Sequence, residues 1–201
     1  MPPRVFLLSP ARADGERMGL LLREGAGFSL AQQFQREGAV LGELFQFASG
    51  LYFRGKLAYA RAFARPPRGA PGALVIVPGR GLLDVDSTLT AAELREIATV
   101  PIDLREARYR LPLERDARAL SGKLGKGEVV LLGSIATGKY AEVLLAVFGE
   151  RLLFPPSFVG RGDMSRGGLL LRSVRAQMEL PYAPLLGAVR HGPRPPKLPR
   201  E

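Results

Sequence analysis

The chain has 201 residues, with 29 Lys plus Arg against 19 Asp plus Glu, a single His and no Cys. Those numbers exclude a disulfide scaffold, a Cys-based zinc site and a thiol enzyme, and one imidazole excludes a multi-His metal centre. A hydrophobic fraction of 46% beside 24% charged residues is that of a packed globular chain, long enough for one sizeable core. No run of about 18 apolar residues occurs and residues 1–8 are too short for a signal h-region, so the expectation is a cytoplasmic protein with no membrane partner. The net charge of +10 points to a polyanionic partner, DNA or RNA. Only five of the cations are Lys, and codon composition is another source of such an Arg excess.

Short apolar runs ending in Gly, Ser or Pro alternate with helical patterns. That order predicts a three-layer α/β/α fold around a mostly parallel sheet of four to five strands. Residues 1–189 form the predicted domain and 190–201 a basic, Pro-rich tail. The predicted strands are Arg4–Leu8, Ala73–Val77, Glu128–Leu132, 151–154 and 182–189. Ser29 caps a predicted helix whose Leu30, Phe34, Leu41, Leu44, Phe45 and Ala48 share a face, with Gly38 and Gly42 as weak points and Gly50 as its end. A second helix over 52–64 puts Arg54, Lys56, Arg61 and Arg65 on its polar face. Thr90-Ala91-Ala92-Glu93 fits a capping box, and Pro112 suits the first turn of a helix that Gly125 stops. Further helices follow over 139–148 and from near Ser165, the last striped by Leu170, Val174 and Met178.

In an open parallel sheet the ligand crevice lies beyond the carboxyl ends of the strands, so the loops there hold the candidate residues. The loop 9–17 after the first strand offers the Ser9 hydroxyl, the carboxylates of Asp14 and Glu16 and the guanidiniums of Arg12 and Arg17, and Pro78-Gly79-Arg80-Gly81 follows the second. After the third, Gly133-Ser134-Ile135-Ala136-Thr137-Gly138-Lys139-Tyr140 nearly satisfies the G-x-x-x-x-G-K-[ST] phosphate loop. Tyr140 stands where Mg²⁺ coordination needs a small hydroxyl, and no apolar run ends in an Asp to supply a second metal ligand. The turn therefore reads as a helix N-terminus holding an anion or a base edge. Beyond the fourth strand, Ser157, Arg161, Asp163, Ser165 and Arg166 could wrap a phosphate by backbone N–H groups and Arg forks, or form a plain surface loop. His191 is the one side chain that titrates near neutrality without perturbation.

These loops, in this order, resemble those of the uracil-DNA glycosylase-like superfamily over most of the chain. The resemblance makes 9–14 the water-positioning loop with Asp14 its acid, and Leu131-Leu132-Gly133-Ser134 the middle turn near the base. Its final loop has two matches. Phe154-Pro155-Pro156-Ser157 keeps Pro-Ser without the His, and Arg190-His191-Gly192-Pro193 keeps the His without the Ser. Residues 51–60 also resemble the Leu-Tyr-plus-basic-helix segment of small bacterial proteins linked to DNA stress or base exchange in RNA. The resemblance implies cleavage of an N-glycosidic bond with Asp14, Ser134, Ser157 and His191 as catalytic candidates. Ser9, Arg12, Gly133, Lys139, Arg161, Asp163, Ser165 and Arg166 would bind substrate or phosphate, Arg54, Lys56, Arg61 and Arg65 would face nucleic acid, and no cofactor or metal is called for. Two other functions fit the same residues: a non-enzymatic nucleic-acid-binding or stress-associated module, and an enzyme acting on a small nucleoside or phosphorylated substrate.

Overall fold

The computed structural model describes residues 2–196 and 198; Lys197 and residues 199–201 of the expected tail lie outside the described residues. The first half of the chain runs β1 (Arg4–Leu8), α1 (Glu16–Leu22), α2 (Ser29–Glu37), β2 (Ala39–Val40), α3 (Leu41–Ser49), α4 (Leu51–Phe63), β3 (Ala73–Val77), β4 (Gly81–Asp84) and β5 (Thr88–Leu89). The second half runs α5 (Ala91–Ala98), α6 (Ala107–Leu124), β6 (Glu128–Leu132), α7 (Gly138–Phe148), β7 (Leu152–Phe154), α8 (Asp163–Arg175) and β8 (Ala183–Pro184).

The expected three-layer α/β/α architecture is present. The sheet has six strands in the order β4-β3-β1-β6-β7-β8 rather than four or five, because a short antiparallel strand closes each edge of the four parallel ones. The central strands are continuously apolar since each feeds two cores. Phe6, Leu8, Val75, Val77, Val130 and Leu132 face α1 to α5 and α8. Val5, Leu7, Leu74, Ile76, Val129 and Leu131 face α6 and α7. The edges are finished differently. On β4 the Leu82 amide points away from the sheet and donates to Asp116 Oδ2 of α6 at 2.9 Å, whereas half of β8 is Pro184.

Several expected elements are altered. The helix expected from Ser29 to Ala48 breaks at Gly38, whose φ of 84° turns the chain into β2; a Cβ there would lie 2.6 Å from the Leu89 carbonyl oxygen of the paired strand β5. The last strand shrinks from 182–189 to two residues. Helix α6 starts a turn before Pro112, with Glu106 accepting from the Arg108 amide. The loop after β1 gives way at Glu16 to helix α1, which buries Met18 and Leu21. The Thr90 capping box is formed as expected, with Thr90 Oγ1 accepting from Glu93 N–H at 3.2 Å.

Helices α4 and α8 cross with their backbones in direct contact. A Cβ on Gly55 would sit 2.8 Å from the Gly167 carbonyl oxygen, and one on Gly167 would sit 2.8 Å from that of Leu51 and 2.9 Å from Tyr52 Cα. Backbone meets backbone, so neither position has a side chain that could swing aside. Gly167→Ala is expected to destabilise the fold by about 1–3 kcal/mol through overpacking. Gly122→Ala, in α6 with open space around it, should instead be neutral or stabilise by up to about 1 kcal/mol through helix propensity. Thermal and urea unfolding of the two variants reads the contrast.

Candidate functional site

Strand β1 sits where the sheet order reverses: the chain passes from β1 to β3 on one side, then returns across β1 to β6 and β7 on the other. The connections that leave β1 and β6 therefore diverge on opposite faces of the sheet. This is the position at which open α/β sheets form their ligand crevice. A cavity of about 490 Å³ opens there, lined by residues from the ends of both strands and from the starts of α1, α4, α7 and α8.

Its floor is built by close approach. Ser9, the first residue beyond β1, donates its amide to the Leu132 carbonyl at 3.1 Å, which sets it against Gly133 at the end of β6. A Cβ on Gly133 would fall 2.8 Å from Ser9 Cβ and 2.9 Å from Tyr140 Oη. Only glycine lets the serine and the phenol stand together at this point. Tyr140 Oη donates to the Ser134 carbonyl at 2.7 Å, and burial pushes its pKa up to about 12. The residue that departs from the phosphate-loop pattern is thus a buried brace of the loop.

Beneath Ser9 lies Lys56, only 1% exposed. Its Nζ donates to the Ser9 carbonyl at 2.6 Å and lies 2.9 Å from Ser9 Oγ. It rests 4.5 Å from the ring centroid of Tyr52 and 4.9 Å from that of Phe53. No carboxylate among the described residues forms an ion pair with it. Burial lowers its pKa to about 7, with Asp163 pulling it upward and Arg166 pushing it further down. Tyr52, 5% exposed, is among the residues lining the crevice; its hydroxyl is itself buried, with no geometric hydrogen bond among the described residues, and burial raises its pKa while the neighbouring Arg166 lowers it.

The mouth is charged and wet. Arg12, Arg17, Glu16, Lys139 and Asp163 line it, and Thr137 with Gly138 brings the N-terminus of α7 to its edge. Of the residues singled out in the sequence, Ser9, Arg12, Ser134, Lys139 and Asp163 line this crevice, with Gly133 in its floor.

Others are placed elsewhere. Asp14 turns into an adjoining hollow beside Pro78 and Lys139, ion-paired with Arg12 at 3.1 Å. Its hydrogen bond from Arg12 holds its carboxyl below the usual range, which weakens it as a base. Ser157 Oγ is buried without a partner, and His191 is exposed on the tail beyond Arg190, which is tied to Glu142 of α7. The expected catalytic group Asp14, Ser134, Ser157 and His191 therefore does not converge.

The expected phosphate fork is also corrected. Arg161 donates to the Ser157 carbonyl, to Ser165 Oγ and to the Pro196 carbonyl, clamping the loop to the tail. Arg166 is 8% exposed, donates to the Phe158 carbonyl at 3.2 Å and pairs with Asp163 at 3.3 Å. Nor is there a four-residue nucleic-acid face. Lys56 is internal, Arg61 pairs with Asp86, and Arg65 pairs with Glu179 at 3.1 Å beside Arg4, at the far end of β1. Arg54 is exposed.

Glu16 and Arg17, expected in the loop after β1, line the crevice, and the site residues missed by reading residue type are Lys56, Tyr52 and Tyr140. For Lys56 a signal existed: Phe53, Lys56, Leu57 and Ala60 stand at i, i+3, i+4 and i+7, the buried stripe of an amphipathic helix. Among the described residues no group of three His, Cys, Asp or Glu is arranged to hold a metal, and no helix is long and apolar enough to cross a membrane.

The lowered pKa of Lys56 makes stability depend on pH with a definite sign. Between about 7 and the ordinary lysine value of 10.5 the unfolded chain binds a proton that the folded chain has shed. The penalty for burying this lysine is complete below about pH 7 and is relieved as pH rises, so stability should climb by about 2 kcal/mol from pH 7 to 9. In Lys56→Met that contribution to the slope should vanish; superposable urea-unfolding profiles of the two proteins across this range would contradict it. No protein-family model matches the chain, and no curated protein or solved structure matches it either, so the site stands on its own geometry.

Proposed function

We propose that the chain is an enzyme acting on a small phosphorylated ligand, such as a nucleoside phosphate, bound in the crevice beyond β1 and β6. One observation carries this reading: the cavity at the reversal of the sheet is rimmed by Arg12, Arg17 and Lys139, with the N-terminus of α7 at its edge. Cationic side chains and free backbone N–H groups together favour a phosphate or carboxylate.

Cleavage of an N-glycosidic bond, the reaction that the glycosylase resemblance implies, would draw on Glu16, which lines the crevice together with the Arg166-paired Asp163, in place of Asp14, which Arg12 holds in the neighbouring hollow. The +10 charge favours a polyanion as a second reading, in which one nucleotide of DNA or RNA enters the crevice.

Calorimetry and thermal shift with inorganic phosphate, nucleosides, nucleoside mono- and triphosphates and short oligonucleotides test the reading. At least one small anion is expected to raise the melting temperature in proportion to its saturation. Arg17→Ala and Lys139→Ala should each weaken it about tenfold, the loss of one charge-assisted contact of about 1.4 kcal/mol. Binding of oligonucleotides alone would favour the polymer reading. Absence of binding across the whole panel, or binding unchanged in the double variant, would remove the crevice from consideration.

A further inference from the structure

A buried lysine can serve structure alone, since the Ser9 carbonyl at the end of β1 needs a donor. A neutral donor would meet that need without bringing an ammonium group into a site with no ion-pair partner. The pairing with Ser9 Oγ is what the structural role leaves unexplained. Ser9 lines the crevice, its Oγ lies 2.9 Å from Lys56 Nζ, and the absence of a Cβ at Gly133 lets the Tyr140 hydroxyl stand against it as a second hydrogen-bonding neighbour. Hydroxyl and amine are thus within proton-transfer distance, the serine 7% exposed in the lining of the cavity and the lysine sealed from water beneath it.

We propose that Ser9 is a nucleophile and Lys56 its general base, in a hydrolase whose substrate is a small ester carrying a negative charge. The ester class follows from the pairing, since a serine activated by a lysine is suited to acyl transfer. The charge follows from Arg12, Arg17 and Lys139 at the mouth, and to that extent the inference rests on the function proposed above. Ser9 Oγ attacks the carbonyl carbon while its proton passes to Lys56 Nζ. The carbon–oxygen bond to the alcohol breaks, and the departing oxygen takes that proton. A water molecule then attacks the Ser9 ester, again losing its proton to Lys56, and the carboxylic acid leaves as Ser9 recovers its hydrogen. The sum is ester plus water giving acid plus alcohol.

Lys56 can accept a proton only when neutral. The groups that face it are Ser9 from the end of β1, Tyr52 on its own helix, and Asp163 and Arg166 from α8. Asp163 and Arg166 oppose one another electrostatically, so desolvation dominates and the neutral amine is populated near pH 7. A neutral amine can donate to the Ser9 carbonyl while accepting from the Ser9 hydroxyl.

Labelling with an alkyl fluorophosphonate, read by intact mass and peptide mapping, tests the pair. A single adduct on Ser9 is expected, formed at a rate that rises through about pH 7, and none in Ser9→Ala. Lys56→Met should label at least 100-fold more slowly and lose that pH dependence. Lys56→Arg, which keeps the charge and the donors but cannot give up its proton, should fail to restore the rate; together with the wild-type profile it decides the matter if Lys56→Met does not fold. The wild type should also hydrolyse 4-nitrophenyl hemisuccinate faster than the neutral 4-nitrophenyl acetate.

An unlabelled wild type, an adduct at another residue, or wild-type labelling rates in the lysine variants would overturn the proposal. Phosphate and nucleotide binding to Ser9→Ala separates the two readings. Binding retained with no labelling of the wild type rejects the nucleophile and keeps the crevice as a ligand site. Labelling at Ser9 without anion binding rejects the anionic ligand and keeps the pair.

Discussion

The crossing of α4 and α8 at Gly55 and Gly167 sets almost everything at the functional end of the molecule. Because the two backbones touch, the residue after Gly55 has no route to solvent, and Lys56 is driven under the end of β1. The same crossing holds the first turn of α8 over Tyr52, which brings Arg166 within 6.0 Å of the Tyr52 ring and Asp163 to the crevice mouth. Steric contact thus determines electrostatics: the glycines fix a distance, the distance expels water, and the missing water shifts the lysine.

The two ends of β1 handle charge in opposite ways. At the far end Arg4 is bonded to Glu128 at 2.6 Å and to Glu179 at 2.7 Å, Arg65 shares Glu179, and Tyr59 and Tyr182 meet at 2.6 Å. There each buried cation has its carboxylate, as a supporting network requires. At the crevice end Lys56 has, among the described residues, the oxygen atoms of Ser9 and the rings of Tyr52 and Phe53 around it, and no carboxylate in ion-pair contact. The net positive charge is accordingly not a single sheet of free arginine; Arg4, Arg61, Arg65, Arg80, Arg105, Arg108 and Arg110 are all ion-paired.

Strands β1, β3 and β6 could be delimited to the residue from the sequence because β3 is an unbroken apolar run and β1 and β6 are each a charged first residue followed by four apolar residues buried on both faces. Helix α5 was legible because its Thr90 cap is local chemistry. The break at Gly38 was visible only as a weak point, since what enforces it is the Leu89 carbonyl contributed from β5, far along the chain. The loops beyond β1 and β6 were correctly expected to hold the crevice, a consequence of topology. Which of their side chains enter it was not legible: Asp14 is captured by Arg12, Ser157 is covered, and His191 is carried off on the tail. Lys56 was read by its charge and assigned to water, although its place in the apolar stripe of α4 opposed that assignment. Residue type names the chemistry available, and the packing of distant segments selects from it.

The two edge strands carry a consequence for how the protein behaves among other chains. An open sheet offers its outermost amides and carbonyls to any extended segment that meets it, which is the route to strand recruitment and fibrous aggregation. Here the outward Leu82 amide on β4 is already occupied by Asp116, and β8 is two residues long with Pro184 lacking an amide hydrogen. Strongly hydrophobic central strands are thereby screened at both margins from templating a neighbour, and a chain with so apolar a sheet keeps its strands to itself.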